Sequence, residues 1–434
     1  FKYTNGSPIR YIAFPFPVAG QPQSVHHRYI FESKDIVSGK PMMQAFIDAL
    51  TVPLTDSEKY KGPAPDPDPA DSRFLGPDTE ENLQRLFKDL DYTDYLPIIL
   101  PTEERVADML KGTSHRPDEV IKTLDWPGGK REVTVERVAT CAVMAGAKPE
   151  HLPVILALAN HIPFGNSTSS MANMVLVNGP IRDEIGMNYG HNVMGPHNLA
   201  NSVIGRSYTI MSKTIGGLHS KKTTWSTLGS TMQYNNVCIA ENEEALPEGW
   251  KPFHVQMGFK PNDSVITVAT GWSYISSVTE AKREYPVYMW MGEYMKALTM
   301  GSATVIMDPS VAALLKDSLG FSTKDQLSKW FSENVEKTQY PSGEKTKPFN
   351  QASAIKILVT GGGIQTTWFV TDFMLGPGML GAEVLAPMNK LKDILHRAED
   401  LCQEAFLRAF PAEGVRPCPR GRRGGGSRGA RRGR

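Results

Sequence analysis

The chain has 434 residues, a formal net charge of +1, 40% hydrophobic residues and 21% charged residues. That balance is expected of a soluble globular protein with room for two or three domains, and no apolar run approaches the roughly eighteen residues of a membrane helix. Four cysteines, Cys141, Cys238, Cys402 and Cys418, lie far apart without a C-x-x-C pair, which excludes a zinc ribbon or a disulfide scaffold and fits a cytoplasmic setting.

The charge is unevenly spread. Eight arginines and no acid follow Glu413, so removing them from the net +1 leaves −7 on residues 1–413. Residues 411–434 form an Arg/Gly-rich tail that has no apolar face to bury and is expected to be disordered. Arginines alone could meet phosphates, but without interleaved aromatic residues the tail makes nucleic acid a poor partner.

Residues 1–60 read as the end of an α/β unit, with a strand at 9–14 and a helix over 42–50. A strand and a helix cannot close a core, so an incomplete unit with an exposed edge or apolar patch is expected. The Pro/Asp-rich stretch 61–77 reads as an extended linker. Residues 78–410 then form the main α/β region. Asp78 is read as the cap of a helix carrying Leu83, Leu86, Phe87 and Leu90, residues 96–101 as a strand or an extended entry, and Thr102 as the cap of the next helix. Helices are predicted over 135–146 and 149–160. Short apolar strands are predicted at 174–177, 237–240, 265–269, 303–307 and 355–360, with helices over 310–319 and 324–335. Strands alternating with helices specify an α/β fold, its sheets mostly parallel or mixed, flanked by helices and divided into more than one unit.

The richest stretch is 174–217. After its strand, Asn178-Gly179-Pro180 makes a turn. Residues 188–198, NYGHNVMGPHN, form a loop with two histidines and several asparagines, and Leu199, Val203, Ile204, Tyr208 and Met211 give the following helix an apolar face. His191 and His197 are candidate acid/base groups near neutral pH, and His161, in the polar loop 160–170 before the strand, is a third. Asn178, Asn198, Asn201, Gly190 and Gly195 are candidate ligand contacts, and Arg206 can clamp a carboxylate or phosphate. Loops at one end of a strand array converge on a crevice, so His191, His197, Asn198 and Arg206 are expected to line one cleft opposite residues 161–170. Arg182, beside Asp183 and Glu184, reads as an ion-pair partner. No H-x-H or H-E-x-x-H spacing identifies a metal, and Gly361–Gly363 fits no dinucleotide or P-loop pattern, so no cofactor is identified.

NGPIRDEIGMNYGHNVMGPHNLANSVIGR, with FLGPDTEENLQRLF, LPIILPTEERVADML, VTVERVATCAVMAGAKPEHLPVILALA and VCIAENEEA, resembles the C-terminal region of the UGSC family of (seleno)proteins. The family is named for a selenocysteine or cysteine, Gly, Ser, Cys motif, which implies thiol or selenol redox chemistry. That motif belongs upstream of residue 9, and no C-G-S-C occurs in this chain. The resemblance therefore implies an oxidoreductase or a subunit of one, acting on a small anionic molecule with a redox partner polypeptide or an N-terminal domain. A metal-dependent lyase or hydrolase using the loop histidines, and a non-catalytic α/β binding subunit of a larger complex, are the alternatives. A homo-oligomer stays open.

Overall fold

The computed structural model describes residues 12–15, 18, 20–55, 74–126, 129–161, 172–218, 228–278, 285–298, 301–375 and 383–384. The Arg/Gly tail, residues 61–73 of the linker and residues 162–170 of the loop before the central strand lie outside the described residues.

The N-terminal part is helical: α1 (Gln23–Phe31) and α2 (Met42–Thr51) are joined across a bridge between Lys34 and Pro41. The predicted strand at 9–14 is unpaired over residues 12–14, and 9–11 lie outside the described residues. Phe31, Ile36, Val37, Ile47 and Leu50 are exposed here.

From α3 (Glu80–Asp89) and α4 (Glu103–Met109) onward, threonine starts helices. Thr79 and Thr102 each accept the backbone N–H three residues ahead, as do Thr134 and Thr323 below. Thr79 therefore takes the cap that the sequence assigned to Asp78, whose carboxylate accepts the Thr79 N–H instead. Residues 96–101 form no strand, which leaves the reading of an entry segment to α4. The hairpin β1 (Val120–Trp126) and β2 (Gly129–Thr134) leads into α5 (Val135–Ala145), closed by Gly146 in the left-handed region, and α6 (Leu152–Ala159).

Two four-stranded sheets follow. The first is built on β3 (Ala172–Asn178), which is followed by α7 (Ile181–Glu184), α8 (Leu199–Thr214), β4 (Val237–Ala240), α9 (Phe253–Gln256) and β5 (Val265–Gly271). The chain then runs through β6 (Tyr274–Val278) and α10 (Val287–Met295) to β7 (Ala303–Met307), α11 (Pro309–Ala313) and α12 (Lys324–Asn334). A small hairpin, β8 (Lys337–Thr338) with β9 (Lys345–Thr346), precedes β10 (Ile355–Val359), β11 (Thr367–Thr371) and β12 (Glu383–Val384).

The sheets share one plan. In the first, β3 has β4 parallel on one side and β5 antiparallel on the other; in the second, β7 has β10 parallel and β11 antiparallel. The fourth strand of each comes from the other half of the sequence: β12 pairs with β5, and β6 pairs with β11. The equivalence reaches single bonds. The Glu241 N–H donates to Val177 O just past β4, and the Thr360 N–H donates to Met307 O just past β10.

Strand alternation makes four layers. Val175, Val177, Cys238, Ala240, Ile266 and Val268 face α5, α6 and α8, whereas Met174, Leu176, Ile239 and Ala269 face the second sheet. There they meet Ile306, Leu358 and Phe373, and the far side of the second sheet (Val305, Ile357, Trp368, Val370) packs under α10 and α12. The result is an α/β fold with mixed sheets, layered helix, sheet, sheet, helix.

Candidate functional site

The loop 188–198 is held together by its own asparagines. Asn188 and Asn201 bond reciprocally: the Asn188 N–H donates to Asn201 Oδ1, and Asn201 Nδ2 donates to Asn188 O, both at 2.9 Å. Asn188 Nδ2 also donates to His191 O and to Asn198 Oδ1, each at 2.8 Å. Asn198 Nδ2 gathers the carbonyls of Asn192, Val193 and Gly195. These side chains fold the loop rather than point outward. A Cβ at Gly195 would meet Asn192 Oδ1 at 2.0 Å, so a side chain there would displace the Asn192 amide from the loop. Gly190 has no such constraint, its nearest neighbour being Asn188 Oδ1 at 3.6 Å.

Cap geometry matters at the loop's end. Asn198 stands at the N-cap of α8 but makes no side-chain cap bond, since its amide is turned into the loop. Among the described residues, the first amides of this 16-residue helix have no side-chain acceptor.

Beside that helix start, between the two sheets, lies a cavity of about 310 Å³. Met174 and Ile239 form its floor, Ile306, Thr371 and Phe373 its roof, and Gly195, Asn201 and Ser202 the wall at α8. Thr231, Met232, Asn235 and Asn236 contribute from the connector before β4, while Tyr274 and Met194, both partly exposed, stand on its rim. Among the described residues, no charged side chain lines it.

Of the residues singled out in the sequence, Gly195 and Asn201 border this cavity. His191 and His197 do not; both are exposed, and His197 has a left-handed backbone, φ 76°. His191 packs over the Gly361–Gly363 turn instead, so closely that a Cβ on Gly362 would fall 1.7 Å from its Nδ1. The turn is pinned to the loop by the Gly361 N–H donating to Tyr189 O at 2.8 Å. Two glycine-rich segments distant in sequence therefore meet where the carboxyl ends of β4 and β10 converge. His161 lies at the end of α6, where its carbonyl accepts the Tyr208 hydroxyl at 2.7 Å. The Arg206 fork is occupied: Nε and Nη2 bond Asp94 at 2.9 and 3.1 Å, and Nη2 also reaches Pro97 O. Arg206 is not part of the cavity wall. Among the described residues, no three His, Cys, Asp or Glu side chains converge as metal ligands.

Asn178 belongs to a different cluster. It is fully buried at the end of β3, and its Nδ2 donates to Glu241 Oε2 at 2.8 Å and Glu243 Oε1 at 3.0 Å. Arg182, 3% exposed, bonds the Glu244 carboxylate and the Glu241 carbonyl, with its guanidinium 4.7 Å over the Tyr189 ring. It is an ion-pair partner, as its acidic neighbourhood indicated, but a buried one whose partners lie about sixty residues away.

Sequence reasoning missed Thr231, Asn235, Asn236, Tyr274 and Thr371, which sit on a connector and on antiparallel strands without a clear apolar signature. The two described cysteines are buried, and burial pushes the Cys141 thiol up to about 11 and the Cys238 thiol up to about 12. Among the described residues no helix is long and apolar enough to cross a membrane. No protein-family model matches the chain, and no curated protein matches it.

Proposed function

We propose that this protein is an enzyme, or a subunit of one, that holds a small anionic molecule with its charged end at the start of α8 and its body between the two sheets. The observation carrying this reading is the α8 N-terminus beside the cavity: the Asn198 amide is spent on the loop, so among the described residues the first helical amides lack a side-chain acceptor. The resemblance of residues 178–206 to the UGSC family supports a redox setting. Cys141 and Cys238, as protonated thiols, are poor thiolates, so the reading assigns the reactive thiol or selenol to a partner polypeptide or to another part of the protein.

The test uses benzoate and its neutral isostere benzamide, followed through the backbone amide resonances of residues 199–202. Benzoate is expected to shift them and benzamide to shift them less. Ser202→Asp separates ligand binding from helix stability. An added carboxylate in the first turn stabilises the helix while repelling an anion, so melting temperature should hold or rise as benzoate binding falls. Equal shifts with both compounds, or benzoate binding unaffected by Ser202→Asp, would overturn the anionic assignment.

A further inference from the structure

We propose that the cavity between the sheets takes an amphipathic molecule, one polar head on an apolar body, rather than a compact multiply charged metabolite. This deepens the reading above and rests on the cavity being the ligand site.

The wall looks half polar, but most of its polar groups are already spent. Asn201 is paired reciprocally with Asn188. Asn236 donates to Gly205 O and Thr209 Oγ1 and accepts from Asn173, and Thr371 Oγ1 donates to Thr304 O. What remains uncommitted among the described residues is a group of four neutral side chains, Ser202, Thr231 and Asn235 in the wall and the Tyr274 hydroxyl at the rim. The first three come from the first turn of α8 and the connector before β4. The floor and roof present Met174, Ile239, Ile306 and Phe373.

A ligand with several charges would shed its hydration against those walls and meet no counter-charge among the described residues, an unfavourable exchange. An apolar body would bury hydrocarbon against hydrocarbon, and one polar head would meet free groups such as Ser202, Thr231 and Asn235. Three methionines, Met174, Met194 and Met232, make the wall adaptable in shape. A volume of about 310 Å³ corresponds to on the order of ten water-sized groups at roughly 30 Å³ each. Octanoate and octan-1-ol match that size.

The experiment is calorimetric titration of the whole protein with octanoate, octan-1-ol and succinate at several temperatures. Octanoate and octan-1-ol are expected to bind with a negative heat-capacity change, the mark of apolar burial, and succinate to bind far more weakly. Met194→Trp at the rim and Thr231→Trp in the wall should each weaken both octyl compounds by at least about tenfold. Using two partly exposed positions guards against one variant misfolding. Octan-1-ol binding without octanoate would support the apolar body while removing the anionic head. Succinate binding that is lost in the Trp variants, with no octyl binding, would overturn this inference and leave the site standing. No binding by any of the three, or octyl binding indifferent to both variants, would overturn both.

Discussion

Lys324 Nζ lies 2.5 Å from Glu241 Oε1, with the two side chains 1% and 0% exposed. The pair ties the helix-capped side of the second sheet to the end of β4 in the first. Glu241 is further fixed by the Phe253 N–H at 2.6 Å and by Asn178 Nδ2. Two charges withdrawn from water persist only because each partner and the surrounding donors compensate the other.

Lys324→Met is therefore expected to destabilise the fold by roughly 3–5 kcal/mol, because it strands the Glu241 carboxylate in the interior. Adding Glu241→Gln should recover a large part of that loss, since the amide still accepts from Phe253 without a bare charge. Urea unfolding of the single and double variants reads both effects. An additive double variant would show that the two side chains are not coupled.

Gly205 sits inside α8, where Ala ordinarily gains about 1 kcal/mol over Gly. Here a Cβ would meet Asn235 O at 1.8 Å, a backbone atom that cannot swing aside. Gly205→Ala should consequently destabilise the protein, by more than the propensity gain, and push α8 off the connector before β4. A rise in the unfolding midpoint would mean that this close approach relaxes freely.

The strands legible in the sequence were the short apolar ones, whether central like β3 and β7 or at an edge like β4 and β10. Residues 237–240 are apolar throughout and 303–307 are apolar apart from Thr304, all are buried on both faces, and the structure places β4 and β7 on those bounds. The strands β6, β11 and β12 were not legible because their side chains are mixed in polarity and their pairing is set by distant segments; nor was the β1–β2 hairpin, because its side chains are mixed in polarity. Thr367–Thr371 alternates Trp368 and Val370 toward the helices with Phe369 toward the first sheet, a pattern that gains meaning only once two sheets are stacked. The loop 188–198 was visible as unusual chain. That its asparagines fold the loop, leaving α8 uncapped, depends on rotamers that composition does not encode. The single fork of Arg206 could have met a ligand or Asp94, and only the fold brings residues 112 positions apart within 2.9 Å.

Asp35 gives a pH signature in the N-terminal helical part. The Ser38 hydroxyl, then the Ala13 N–H, holds its carboxyl down at about 2, below the ordinary 3.8. A depressed carboxylate contributes stability that is fully present above its unfolded value and is lost as pH falls through the folded one. The local structure of residues 33–42 should thus hold at pH 5 and loosen between about pH 4 and 2. Asp35→Asn should flatten that acid limb, as read by amide exchange of the Val37 and Ser38 N–H groups that Asp35 accepts. An unchanged limb in the variant would assign the titration elsewhere.

The last expectation concerns Cys238, which contributes to the cavity wall while its thiol is pushed up to about 12 by burial. Reaction with a disulfide reagent requires thiolate, and at pH 8 that form is about one molecule in ten thousand for such a group. Cys141 is held up for the same reason, with Thr214 Oγ1 at 3.2 Å only partly offsetting it. In a protein with Cys402 and Cys418 replaced by serine, native-state labelling should be very slow. It should rise about tenfold per pH unit if thiolate fraction sets the rate, and complete promptly in denaturant with two thiols counted. Rapid labelling of Cys238 at neutral pH would show a thiolate that the fold stabilises. Slow labelling that octanoate does not alter further would leave the chemistry of any bound molecule to groups other than these two thiols.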